Sequence, residues 1–218
     1  MSSFRERYEA VFRAFGRPLG AGCAMSEATL AKAEARLGVR IPRALREYYA
    51  IAGREERFNL ADQRLLPPSK WEVDSKRLVF MEENQVVCIW GVSLRRFGSS
   101  DPPVSEGYPD AEGASWVPLK RTCSAFLMAM LHRQAACGGL PHARAGEEVP
   151  ASTFKARFRK REWACYGELK GEEYFSRPGQ VVALSREGPG DGRWTISIAA
   201  GTRDGLRSLA DELGLGAG

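Results

Sequence analysis

"LVFMEENQVVCIWGV" spans residues 78–92. Two apolar runs rich in Val, Ile and aromatic residues flank Glu82, Glu83, Asn84 and Gln85. Neither run alternates polar with apolar residues. Residues 76–81 and 86–92 therefore read as short strands buried on both faces, near the centre of a sheet. The four polar residues between them have the length of a hairpin turn. No Gly or Pro marks the break, so Asn84, which tolerates a left-handed backbone, is expected to set the turn. Glu82 and Glu83 also raise an acid/base reading. Adjacent residues on an extended chain point to opposite faces, so the two carboxylates would converge only if the turn bent them together.

The flanks are of a different kind. Upstream, Phe4, Tyr8, Val11, Phe12 and Phe15 recur at helical spacing, and "GRPLGAG" (16–22) ends that helix. Ser26 reads as the N-cap of "EATLAKAEARLG", with Gly38 as its stop. Pro42 opens a further helix that Leu45, Tyr48, Tyr49 and Ala52 pack and Gly53 closes. Downstream, the prolines of "GSSDPPVSEGYPDAEG" (98–113) predict a loop, with 103–107 as a short edge strand at most. "SWVPL" is a short strand. Phe126, Leu127, Met130 and Leu131 mark an amphipathic helix over 122–137, ended by Gly138 and Gly139.

After a turn-rich link, "STFKARFRKR" alternates Phe154, Ala156 and Phe158 with Lys155, Arg157 and Arg159, the pattern of a half-buried strand. "QVVALSRE" and "RWTISIA" are two strands joined by the Gly-rich turn 188–192. Thr202 caps a last helix carrying Leu206, Leu209, Ala210 and Leu213 on one face. Helices first, antiparallel strands next and helices again later define an α+β fold: N-terminal helices packed on a mainly antiparallel sheet, with further helices in the C-terminal half. At 218 residues the chain is expected to form a single domain over 1–218, with an elaborated part at 141–218.

Composition narrows the function. No apolar run reaches the roughly 18 residues of a membrane span, and "MSSFRERYEAVFRAF" lacks a signal core. The five cysteines are scattered without any C-x-x-C, which argues for reduced thiols and a cytoplasmic protein. The net charge of +5 is spread thinly: residues 1–75 hold 13 basic and 10 acidic residues, 76–140 hold 7 and 6, and 141–218 hold 12 and 11. The two histidines, His132 and His142, have no zinc-ligand spacing with Cys137, so no metal and no cofactor are expected. "GPGDG" (188–192) opens a strand rather than a helix, unlike a phosphate loop. Nucleophile-elbow and metalloprotease motifs are missing, and no catalytic residue is assigned.

Two charge clusters are the candidate binding residues. Glu82, Glu83, Asp101, Glu106, Asp110 and Glu112 lie in two segments without Lys or Arg, and form an acidic rim if the hairpin tip and the 99–113 segment meet. Lys155, Arg157, Arg159, Lys160 and Arg161 form a basic cluster that reads either as a solvated strand face or as a site for an anionic partner. Alternation places Phe154 and Phe158 opposite those charges, against base stacking, so nucleic acid is the less favoured partner.

Taken together, these stretches resemble the SUKH superfamily, the fold of fungal cell-wall-assembly regulators and of many bacterial toxin-immunity proteins. "LGVRIPRALREYYAIAG" is similar to its helix–LP–helix entry through Leu37, Gly38, Ile41, Pro42, Leu45, Tyr48 and Gly53. "LVFMEENQVVCIWGV" is similar to its signature hairpin through Leu78, Val79, Phe80, Glu83, Asn84, Gln85, Trp90 and Gly91. "DPPV" (101–104) resembles the segment that follows. The resemblance covers about 28–135, and Ala52 stands where many members carry Asn. It implies a non-enzymatic protein that docks on a cognate toxin domain, in some cases a nuclease, and blocks it. A regulatory or scaffold role without a toxin is the alternative it leaves.

Overall fold

A computed structural model describes residues 2–94, 98–150, 163–169, 171–186 and 193–215. The fold class is α+β. Helices come first: α1 (Phe4–Ala14), α2 (Glu27–Leu37), α3 (Arg43–Ala52) and the single turn α4 (Glu56–Asn59). Six strands follow: β1 (Arg64–Leu65), β2 (Glu72–Asp74), β3 (Arg77–Glu82), β4 (Ile89–Ser93), β5 (Pro103–Asp110) and β6 (Gly113–Thr122). After α5 (Cys123–Gln134) come β7 (His142–Pro150), β8 (Ala164–Leu169), β9 (Glu172–Arg177), β10 (Gln180–Arg186), β11 (Arg193–Ala200) and α6 (Arg203–Leu213). The chain divides into two compact units, 1–9 with 19–127 and 10–18 with 128–218.

In the first unit the strands pair antiparallel in the order β1-β3-β4-β5-β6, with β2 also pairing β3. The run Leu78–Met81 is buried throughout. The ladder explains how it lacks alternation. Val79 faces Gly91 and Met81 faces Trp90, so Phe80 is an extra residue, a bulge that rotates the strand. Phe80 meets Phe126 of α5 edge-on with ring centroids 5.8 Å apart, and Trp90 meets the same ring at 5.9 Å.

The helices are closed by local chemistry. The Ser26 hydroxyl accepts the Thr29 N–H at 3.2 Å at the start of α2. Gly38 ends it at φ 64°, a left-handed conformation that glycine adopts without a Cβ clash. Buried hydroxyls are satisfied in α3: the Tyr49 hydroxyl donates to the Leu66 carbonyl at 2.6 Å, and the Tyr48 hydroxyl to Asn59 Oδ1 at 2.8 Å.

The second unit holds a five-stranded antiparallel sheet, β7-β11-β10-β9-β8. Its hairpin of β10 and β11 runs in unbroken register from Gln180 opposite Ala200 to Arg186 opposite Trp194. On one face Val182, Leu184, Ile196 and Ile198 join Leu209, Ala210 and Leu213 of α6 in a single core. The Thr202 hydroxyl caps α6 by accepting the Gly205 N–H at 3.0 Å.

Three expectations are corrected. The segment 98–113 is not mainly loop: β5 is eight residues long and pairs on both sides. Its prolines sit near its two ends, where a missing N–H breaks little of the ladder. The link after α5 contains β7 rather than only turns. The second hairpin strand begins at Ile89, not at 86, and the turn is correspondingly longer.

Candidate functional site

The acidic residues singled out by sequence have separate fates in the first unit. Glu82, opposite Arg64 in the ladder, takes an ion pair with Arg64 Nε at 3.1 Å. Glu83 is built into its own turn: Oε2 accepts the N–H of Gln85 at 2.8 Å and of Val87 at 3.3 Å. Asp101 lies just before β5, at the opposite end of that strand from Asp110. Its two oxygens accept the Ser124 N–H and hydroxyl at 2.7 Å each, which anchors the first turn of α5. Glu106 is 2% exposed, faces Trp90 and Val117 in the ladder, and accepts the Tyr108 hydroxyl at 3.2 Å. Asp110 and Glu112 are exposed in the β5–β6 turn, where Asp110 Oδ1 accepts the Glu112 N–H at 2.8 Å.

Strand register decides which of these meet. Glu82 pairs with Ile89, and Ile89 pairs with Gly107. The β3–β4 turn and the β5–β6 turn therefore project from the same end of the sheet. Glu82, Glu83, Asp110 and Glu112 share that end; Asp101 lies at the other, and Glu106, one pair in from Ile89 and Gly107, is buried. Glu82 and Glu83 make no catalytic pair, since one is held by Arg64 and the other by turn amides.

The turn itself overturns the role given to Asn84. The left-handed residue is Val86, at φ 61°, a costly conformation for a β-branched side chain. The Asn84 N–H instead donates to Gln63 Oε1 at 3.2 Å. The Glu83 N–H reaches the Cys88 carbonyl at 2.9 Å and the Val86 N–H reaches the Glu83 carbonyl at 2.9 Å. Val86 and Val87, expected inside a buried strand, are 47% and 62% exposed. The carboxylate of Glu83 does the work that a glycine would do in a shorter turn.

Sequence reasoning missed a companion feature on the other face of this sheet. Trp116 of β6 lies flat over two glycines: a Cβ on Gly91 would come within 2.8 Å of its ring and one on Gly107 within 3.0 Å. Arg77 stacks on the ring, 5.0 Å from its centroid, and Asp74 accepts the indole N–H. "W-G-V" and "E-G-Y" show no such lane in one dimension; it exists only once β4 and β5 are in register.

Cys123 and His132 are both buried. Burial, with a smaller contribution from Asp101, pushes the Cys123 thiol well above its ordinary pKa, which removes the thiolate. In the second unit His132 is fully buried. Its Nδ1–H donates to the Met128 carbonyl at 2.7 Å, leaving Nε2 to accept from the Ser176 hydroxyl at 3.2 Å, and its ring meets Phe15 edge-on. Burial lowers its pKa to about 4. Among the described residues no group of three or more His, Cys, Asp or Glu side chains could hold a metal ion. No helix among them is long and apolar enough to cross a membrane. A cleft of about 560 Å³ between Ile41, Pro42 and Leu94 has Arg40 and Arg43 as its only charged lining among the described residues, so it offers no general base. The basic residues Lys155, Arg157, Arg159, Lys160 and Arg161 lie outside the described residues.

No family model, curated protein or solved structure matches this chain.

Proposed function

We propose that this chain is a non-enzymatic, protein-binding immunity protein of the SUKH kind, which neutralises a cognate toxin by docking on its catalytic domain. The observation that carries the reading is the shared end of the first sheet, where two turns bring Glu83, Asp110 and Glu112 together. Docking needs a stable, charged and complementary surface rather than reactive groups, and charged rims raise association rates more than affinity. A toxin that acts on nucleic acid carries basic surface, which such an end would attract.

The test is to search the neighbouring reading frames for a toxin-tipped protein, co-express it with this chain, and follow association kinetics on the purified pair; neighbours without such a protein would count against the reading. Growth should be restored by the wild-type chain. Replacing Glu83→Gln keeps the turn acceptor and removes the charge; Asp110→Asn and Glu112→Lys complete the change. This triple variant should associate about tenfold more slowly at low salt, with a flatter salt dependence, because the Debye length at physiological salt is only about 8 Å. Unchanged kinetics and unchanged salt slope would place the contact on another face.

A further inference from the structure

The described residues include six large apolar side chains that stand exposed: Leu60, Val73, Val86, Val87, Tyr108 and Val117. Four of them gather at the end of the first sheet just described. Tyr108 follows Gly107, the ladder partner of Ile89, so it lies beside the tip that carries Val86 and Val87. Val117 faces Glu106 across β5 and β6, which puts it on the same sheet face as Tyr108, two pairs further from the turn. Exposed single apolar residues are ordinary, but several toward one sheet end that also carries charge mark an interaction surface. The tip is also held in shape. Val86 keeps its left-handed backbone because Glu83 binds the amides on either side of it, at Gln85 and Val87.

We infer that Val86, Val87, Tyr108 and Val117 form a preorganised apolar plug, and that its occupant is a basic protein segment carrying an aliphatic or aromatic anchor. The inference deepens the docking reading above and rests on it for the choice of face. Charge selects the occupant. Glu83, Asp110 and Glu112 share the sheet end with the plug, so a second copy of this chain would bring like charges face to face, whereas a Lys- or Arg-bearing segment is attracted. The apolar contacts hold the complex and the acids speed its formation.

The experiment uses the full chain immobilised as bait for a displayed library of random twelve-residue peptides. Enriched peptides should combine Lys or Arg with an aliphatic or aromatic residue. Their dissociation constants should weaken by at least about tenfold with Val87→Asp or Tyr108→Asp, as for a residue central to an interface. Sedimentation of the chain alone should show a monomer. Enrichment of acidic peptides, equal binding to the Asp variants, or no enrichment at all overturns the inference, and so does a dimer dissociated by Val87→Asp. The wild-type chain and the Val87→Asp variant are then compared in the toxin growth assay. Rescue that survives Val87→Asp sinks the plug and keeps the immunity reading; peptides that bind the plug without any toxin rescue do the reverse.

Discussion

The two units use the same material differently. Six large apolar side chains stand exposed among the described residues of the first unit. In the second, Val182, Leu184, Ile196 and Ile198 are covered by α6, and a histidine is spent on the interior. The second unit packs these aliphatic residues into one core against its helix. The first carries a core of its own, through Phe80, Trp90 and Phe126, but leaves one sheet end uncovered. The difference teaches where to look for a partner: burial in a small unit is driven toward completeness, so an incomplete margin next to a complete core points to contact with something else.

Substitution of the shared aromatic core should break the first unit most severely. Trp90 is 4% exposed and packs on Phe126. Trp90→Ala should cost about 3–5 kcal/mol through lost transfer energy and the cavity left behind. Its indole N–H is buried and finds no acceptor among the described residues. Trp90→Phe removes that orphan donor along with some volume, so it should cost much less than the alanine change. Equal losses for the two, measured by equilibrium denaturation, would show that packing at this site is not what matters.

The second unit is probed by pH. His132 has its pKa lowered from 6.5 to about 4 by burial. In the unfolded chain it binds a proton below about pH 6.5, while in the folded chain it stays neutral until about pH 4. Its contribution is therefore complete above pH 6.5 and is lost progressively as pH falls toward 4. The loss is of the order of 3 kcal/mol. His132→Gln should flatten that slope, and an imidazole resonance assigned to His132, by its loss in that variant, that titrates near 6.5 in the folded protein would contradict the buried geometry.

How legible these regions were follows from the range of the interactions that make them. Caps such as Ser26, Gly38 and Thr202 act within four residues, and the sequence displays them directly. The α+β class follows from periodicity, which is equally local. The bulge at Phe80 was hidden because four consecutive buried residues can arise from two-sided burial or from a rotated strand. The acidic residues were legible as a group but not as a surface. Asp101 turned out to anchor α5 and Glu106 to lie inside, because tertiary packing decides which of these carboxylates reaches the surface. Val86 carried no signal at all, since a β-branched residue is the least expected choice for a left-handed position.

The glycine lane offers a sharper test of that register. A methyl group on Gly107 would lie 3.0 Å from the Trp116 ring, closer than ordinary contact. Gly107→Ala should destabilise the first unit by about 1–3 kcal/mol, as overpacking does, and should shift the Trp116 fluorescence as the ring lifts away from Arg77. A neutral result with unchanged fluorescence would mean that the ring has room to slide, and that β5 and β6 are less firmly placed than β10 and β11.

The smallest effect should also separate stability from function. Val86 holds a left-handed backbone in a turn whose hydrogen bonds do not require a valine side chain. Asparagine occupies that region at lower cost, so Val86→Asn should stabilise the protein by roughly 0.5–1 kcal/mol, within the strain attributed to such a residue. The same change removes a branched apolar group that is nearly half exposed. If the plug is a contact surface, the more stable variant should bind the selected basic peptides less well, with a faster dissociation rate and little change in association. Stability and binding would then move in opposite directions at one residue. A variant that gains stability and keeps full binding would show that Val86 is merely a tolerated turn residue, and would leave Val87 and Tyr108 to carry the contact. A variant that loses stability would show that the valine side chain supports the turn through packing, and that the uncovered margin of the first unit is smaller than its exposure implies.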